Sequence, residues 1–196
     1  MMLYIFDMGG VLVQSFDVLP EAARRLGLSE SVFRQFARID MDALSAGAIS
    51  AQEYWSRFEA ASGARVGEDY WSTLFAPTLD TGMERLIRAL RSNGRVVCGT
   101  NTIGSHYDYL LRRGMYDCFD AVYASHLIGL CKPDQAFWLE ILKVEGVAAS
   151  DVFFIDDYPE NVEAAEKLGI RSHLFEGMSG LEVALETRRA VLEPKA

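Results

Sequence analysis

Four short apolar runs in this chain each end in polar residues whose types suit phosphoryl chemistry. Asp7 follows the run at 3–6 and precedes two glycines, Gly9 and Gly10. Thr100 and Asn101 follow 95–99. Lys132, joined to Pro133, comes shortly after 121–124. Asp156 and Asp157 follow 152–155. Asp7 and Asp157 are suited to share a hard divalent cation. Magnesium takes oxygen ligands and leaves part of its shell for water and substrate phosphate. Packed without a cation, such carboxylates would repel and raise a pKa. Thr100 offers a hydroxyl, and the amides beside it offer N–H donors. Lys132 offers a compact cation for a phosphoryl group or for Asp7 itself. Together they would neutralise and orient a phosphoryl group for in-line attack by Asp7, which is mostly positioning and electrostatics.

Each piece alone has a plainer explanation. An Asp after a strand is often a turn former, and Thr-Asn is an ordinary turn pair. Lys-Pro suits a helix start, with Pro at the first helical position. Asp156 and Asp157, ahead of Tyr158-Pro159, suit a helix N-terminus. The order of the four, each at a strand exit, is what points to one site.

The elements that must position them follow from patterning. Runs at 3–6, 95–99, 121–124 and 152–155, with a weaker one at 171–175, read as strands. Stretches at 81–92, 105–113, 135–145, 159–168 and 180–190 read as helices. This alternation predicts an α/β fold, a Rossmann-like parallel sheet with helices on both faces. Ligands of such sheets bind beyond the C-terminal strand ends. The segment 15–80 has no strand-like run of comparable strength. It reads as helices at 18–26, 29–36, 41–46 and 51–62, with Ser29 and Ser50 as N-caps and Gly27, Gly47 and Gly63 at helix ends. The expectation is a core domain of 1–14 and 81–196 with a small helical cap, 15–80, inserted after the first strand. A long insertion at a site's edge is often a lid. The tail at 193–196 is expected to fray.

Composition bounds the function. Of 196 residues half are hydrophobic, enough for a large core, and the formal net charge is −9. That argues against a nucleic-acid binder, though not against a small phosphorylated molecule. The three cysteines, Cys98, Cys118 and Cys131, show no metal-ligand spacing. No run approaches the ~20 apolar residues of a membrane span, and no signal-peptide pattern opens the chain. The expectation is a cytoplasmic protein with no membrane partner. Oligomeric state is not legible.

With these motifs in view, the chain resembles the haloacid dehalogenase superfamily, whose first motif is an apolar strand ending in Asp-x-Asp-Gly. Here it reads IFDMGGVLV. The second motif reads VVCGTNT, the third LCKPDQAF and the fourth VFFIDDYPENVEAAEKLGI. The insertion's SAGAISAQEYW is similar to a segment of one subgroup, which includes the bacterial glucose-1-phosphate phosphatase and also has Gly two residues after the nucleophile. The resemblance implies a magnesium-dependent phosphatase acting on a small phosphorylated metabolite, sugar phosphates included, through an aspartyl-phosphate. Asp7 would be nucleophile and metal ligand, with the Gly9 carbonyl and Asp157 completing the protein's metal ligands. Thr100, Asn101 and Lys132 would hold phosphate. Asn161 would fall where a second acid often holds a metal-bound water, with Asp156 secondary. Gly10 would leave room for the phosphate.

Gly9 is the departure. Most phosphatases of this superfamily carry an Asp there as general acid and base, a role typically contributing ~10²–10⁴-fold. Candidates to replace it are Gln14, Asp17, Asp40, Asp42 and His106. Arg34, Arg38, Arg57, Trp55 and Trp71 are candidates for substrate contact from the insertion. Two other functions compete: a carbon–halogen hydrolase of the same superfamily, disfavoured because adjacent acids would repel halide, and a weakly active or non-catalytic binding protein of the same fold.

Overall fold

The computed structural model describes residues 2–192, so the tail at 193–196 lies outside the described residues. The chain opens with β1 (Met2–Phe6) and a two-residue strand, β2 (Val13–Gln14). Five helices follow: α1 (Leu19–Arg25), α2 (Glu30–Ala37), α3 (Met41–Ser45), α4 (Ala51–Ser62) and α5 (Tyr70–Thr73). Next come β3 (Thr78–Leu79), α6 (Thr81–Leu90), β4 (Gly94–Thr100), α7 (Gly104–Arg112), β5 (Ala121–Ala124), α8 (Ser125–Ile128) and α9 (Gln135–Glu145). A 3-10 turn at Ala149–Asp151 leads into β6 (Val152–Asp156), α10 (Pro159–Glu166), β7 (Arg171–Leu174) and α11 (Met178–Leu192).

Five strands form one parallel sheet in the order β5-β4-β1-β6-β7. Alternate residues of each strand face opposite sides. Tyr4, Phe6, Val96, Cys98, Phe153 and Ile155 enter one core with Met83 and Ile87 of α6 and Leu110 of α7. Leu3, Ile5, Val97, Val152 and Phe154 enter the other with Phe137, Trp138 and Ile141 of α9 and Ala165 of α10. Both faces are therefore covered, which is why the strands read as continuous apolar runs. The expected α/β architecture is present, and the expected strands are off by no more than a residue or so at their ends. Among the described residues, no helix is long and apolar enough to cross a membrane.

The chain leaves the sheet and returns through an antiparallel ladder, Val13 opposite Leu79 and Gln14 opposite Thr78. Between these stalks lie α1–α5. Ser29 and Ser50 do cap α2 and α4, accepting hydrogen bonds from the N–H groups of Val32 (3.3 Å) and Glu53 (3.1 Å). Trp55 and Trp71 stack at 5.2 Å, and Phe33 packs on Phe58. This cluster is continuous with the first sheet-face core. The insertion touches the rest of the chain at α8, where the Ser125 hydroxyl donates to the Ser45 carbonyl at 2.6 Å. Gly47 (φ +69) approaches so closely that a Cβ would lie 2.3 Å from the His126 carbonyl oxygen. At α7, the His106 ring stacks on Phe75 at 3.7 Å and its Nε2 donates to the Trp71 carbonyl at 2.8 Å.

The helix expected at 135–145 is present with those bounds. Pro133 is not the first helical residue, because Asp134 is the N-cap of α9 and accepts a hydrogen bond from the Ala136 N–H. Lys132 therefore sits in the turn before the helix.

Candidate active site

The parallel sheet gathers the strand exits. β1 is central, with β4 and β6 beside it, so Asp7, Thr100 and Asp156 emerge side by side. The Asp7 N–H donates to the Ile155 carbonyl at 2.9 Å, extending the β1–β6 ladder by one step and fixing where the carboxylate begins. Lys132 reaches in from the turn after α8. Its Nζ donates to Oδ1 of Asp7 at 2.7 Å and to Oδ2 of Asp156 at 2.6 Å. All three are buried.

The turn holding Lys132 is itself clamped. Asn101 donates from Nδ2 to the Lys132 carbonyl (2.7 Å) and accepts from the Lys132 N–H (2.9 Å). Its side chain is thus occupied, and what Asn101 can offer a phosphoryl group is its backbone N–H.

Asp156 is also fully engaged. Oδ1 accepts from the Tyr158 N–H (2.8 Å) and from Nδ2 of Asn161 (3.0 Å), while Oδ2 takes Lys132 and the same amide (3.1 Å). Asn161, expected beside a metal-bound water, turns its amide donor onto both oxygens of Asp156. Asp157 differs: its Oδ1 is buried with no protein partner.

Oxygens of Asp7, Asp156 and Asp157 lie within 4.8 Å of one another. Three carboxylates face a single ammonium here, leaving two negative charges uncompensated when all are ionised. Burial pushes the Asp7 carboxyl up to about 6, Lys132 pulling it back and Asp156 pushing it further. Asp157 is also raised, by burial and then by Asp156. Burial works against the Lys132 charge, but Asp7 and Asp156 outweigh it and hold the ammonium above its ordinary range. A buried net negative charge with an unpartnered carboxylate oxygen fits a divalent cation, which would relieve both costs.

Gly10 is required by this cluster itself. It has φ +74, and a Cβ there would lie 2.1 Å from Oδ2 of Asp157. Only glycine satisfies both the backbone conformation and the close approach.

A cavity of about 340 Å³ opens over these groups, bounded by Asp7, Gly9, Thr100, Asn101 and Lys132 on the sheet side and by Phe16 and Met41 from the insertion. Of the five proposed substitutes for the missing acid, Asp42 and His106 line it. Gln14 donates to the Gly10 carbonyl, Asp17 pairs with Arg34, and Asp40 pairs with Arg57. Burial holds His106 neutral, at about 4.

A family profile for haloacid dehalogenase-like hydrolases matches residues 1–169. The chain belongs to that family. This haloacid dehalogenase-like hydrolase is 28% identical to a sesquiterpene phosphatase of Aspergillus oryzae over 95% of each chain. It is 34% identical to a drimenol cyclase of Aspergillus calidoustus, over half of its own length and 19% of that protein. In fold it is similar to a haloacid dehalogenase family enzyme of Bacteroides thetaiotaomicron crystallised with magnesium and inorganic phosphate. That match has TM-score 0.77 and 21% identity and covers 92% and 98% of the two chains. It is also similar to the L-2-haloacid dehalogenase of Xanthobacter autotrophicus, with TM-score 0.65 and 19% identity, over 100% and 84%.

Several residues of this hydrolase's cavity carry no sequence signal. Phe16, Met41, Phe75 and Tyr158 line it but read as ordinary apolar or loop positions. Of the insertion candidates, Trp71 and Arg34 line an adjoining cavity. Trp55 is buried, donating from Nε1 to Asp69. Arg57 is held by Asp40 and Glu53.

Proposed function

We propose that this hydrolase is a magnesium-dependent phosphatase that cleaves a small phosphorylated metabolite through an aspartyl-phosphate on Asp7. The observation that carries the reading is the buried cluster of Asp7, Asp156 and Asp157 around Lys132. The family membership and the phosphatase among the relatives agree with it.

In this reading a carboxylate oxygen of Asp7 attacks phosphorus as the bond to the leaving alcohol oxygen breaks. Water then attacks phosphorus, releasing inorganic phosphate and restoring the carboxylate. Lys132 orients Asp7 and offsets charge on the transferring group. Asp156, fixed by Asn161 and the Tyr158 N–H, positions Lys132 rather than ligating metal. Thr100 and the Asn101 backbone N–H hold phosphoryl oxygens. Magnesium would be held by Asp7, Asp157 and the Gly9 carbonyl, and it would supply charge neutralisation at the phosphoryl group. The insertion, 15–80, acts as the cap over the core domain of 1–14 and 81–196. Proton transfer to the leaving oxygen passes to a cavity-lining group or to water, because Gly9 has no side chain to serve.

Carbon–halogen hydrolysis is less well supported, since two uncompensated carboxylate charges disfavour a departing halide. The deciding experiment is phosphate release from a panel of phosphomonoesters. Release that is lost with chelator and with Asp7→Asn supports the proposal. Chloride release from a haloacid, with no phosphate release from any ester, overturns it.

A further inference from the structure

Beside the catalytic cavity lies a second one of about 330 Å³. The two share Phe16, Met41 and His106 among their lining residues, so they are contiguous. A phosphomonoester with its phosphoryl group at Asp7 therefore has a continuous path for the rest of the molecule. Each cavity alone reaches the lower end of the range typical for small-molecule sites, roughly 300–1,000 Å³.

The walls of the second cavity state what fits there. Val18, Leu19, Trp71 and Ile103 add apolar surface to that of Phe16 and Met41. Trp71 is fixed by its stack on Trp55 and its edge contact with Phe33, so this wall is rigid before any ligand arrives. Four of the polar side chains present are already engaged, and the hydroxyl-bearing Ser45, Thr102 and Tyr158 complete the polar lining. Asn101 spends its amide on the Lys132 backbone, and His106 Nε2 donates to the Trp71 carbonyl. Asp17 accepts from the Leu19 N–H and pairs with Arg34 at 3.2 Å. A sugar ring would find three side-chain hydroxyls there, those of Ser45, Thr102 and Tyr158, fewer than its own set, and each hydroxyl left unmatched is costly. A second phosphate would meet one guanidinium, already paired with Asp17.

Resting on the phosphatase reading, we infer that the substrate is the phosphomonoester of a long apolar alcohol, its hydrocarbon seated among Val18, Leu19, Trp71 and Ile103. This replaces the sugar phosphate as the favoured class. Leu19, Trp71 and Ile103 set specificity, and Asp7 with its neighbours does the same chemistry whatever the alcohol.

The test is a straight-chain alkyl phosphate series from ethyl to dodecyl, with branched isoprenyl monophosphates and hexose phosphates, assayed for kcat/KM with magnesium. The expected result is a rise approaching fourfold per added methylene, the value for a CH₂ transferred out of water, until the cavity is filled. Straight-chain and isoprenyl arms distinguish fatty from terpenoid alcohols. Leu19→Asp, at the partly buried first residue of α1, should flatten the slope of rate against chain length. A second readout is independent of turnover: octyl phosphate should bind the Asp7→Asn protein with a negative heat-capacity change, the mark of apolar burial. Hydrolysis of ethyl or hexose phosphates as fast as dodecyl or isoprenyl phosphate overturns this inference and leaves the phosphatase reading standing. No phosphate release from any ester overturns both.

Discussion

The ring of Phe16 lies against the bare face of Gly9: a Cβ at position 9 would stand 3.3 Å from its Cζ. Where most of this superfamily's phosphatases carry an acid–base Asp, this chain presents an aromatic edge that also lines both cavities. The exchange trades a proton donor for apolar surface at the mouth of the site.

Restoring the acid is therefore expected to need two changes. Gly9→Asp alone must push Phe16 aside, whereas Gly9→Asp with Phe16→Ala has the space. With an alkyl phosphate, whose leaving alkoxide needs a proton, the double variant should exceed Gly9→Asp alone by about 10-fold or more in kcat, part of the ~10²–10⁴ typical of general acid–base help. With p-nitrophenyl phosphate, whose leaving group needs no proton, the gain should shrink. Equal rates for the single and double variants on the alkyl ester would contradict this account of Phe16.

Lys132 joins Asp7 and Asp156 through one buried ammonium. Lys132→Met leaves buried carboxylates unpaired, so it should lower stability by about 3–5 kcal/mol in urea denaturation. It should also abolish turnover. A loss within about 1 kcal/mol of zero would show that the carboxylates protonate or hydrate without strain.

His106 gives the stability a pH signature. Its folded pKa, about 4, lies below the ordinary 6.5, because burial disfavours the charged ring more than the Trp71 carbonyl and Asp69 favour it. As pH falls through this window the unfolded chain takes up the proton first, so the His106 contribution is complete above about 6.5 and is lost toward 4, while Asp7, raised to about 6, and Asp157, also raised, contribute with the opposite sign. The expected slope from His106 is about 1.4 kcal/mol per pH unit. His126 and His173 are also lowered and add to it. His106→Gln isolates the one ring: chemical denaturation across that range should show a shallower slope, and an unchanged slope would place the titration elsewhere.

Much of this molecule could be read from the chain because the informative contacts are local or repeated. Five apolar runs bounded by polar exits announce a parallel sheet, and parallel pairing brings Asp7, Thr100 and Asp156 together. Helices α5 and α8, of four residues each, are too short for a periodic signal, and so is the ladder of β2 and β3. The division of labour between Asp156 and Asp157 was hidden for a different reason. Neighbouring residues at a strand end point apart, but sequence does not say which one meets Lys132. It is Asp156, and the unpartnered oxygen belongs to Asp157. The approach of Gly10 to Asp157 is a contact 147 residues away in the chain, which no local pattern announces. The packing of Phe16 on Gly9 depends on how the insertion leaves the sheet, which no local pattern encodes.

The central claim is that Asp7 carries the phosphoryl group during turnover. Rapid acid quenching of the enzyme with alkyl phosphate and magnesium, followed by borohydride reduction and peptide mass spectrometry, tests it directly. Reduction of an acyl phosphate converts aspartate to homoserine. The account predicts homoserine at position 7, absent when chelator is added and absent in Asp7→Asn. Phosphate release at a normal rate with aspartate intact at position 7 would contradict it.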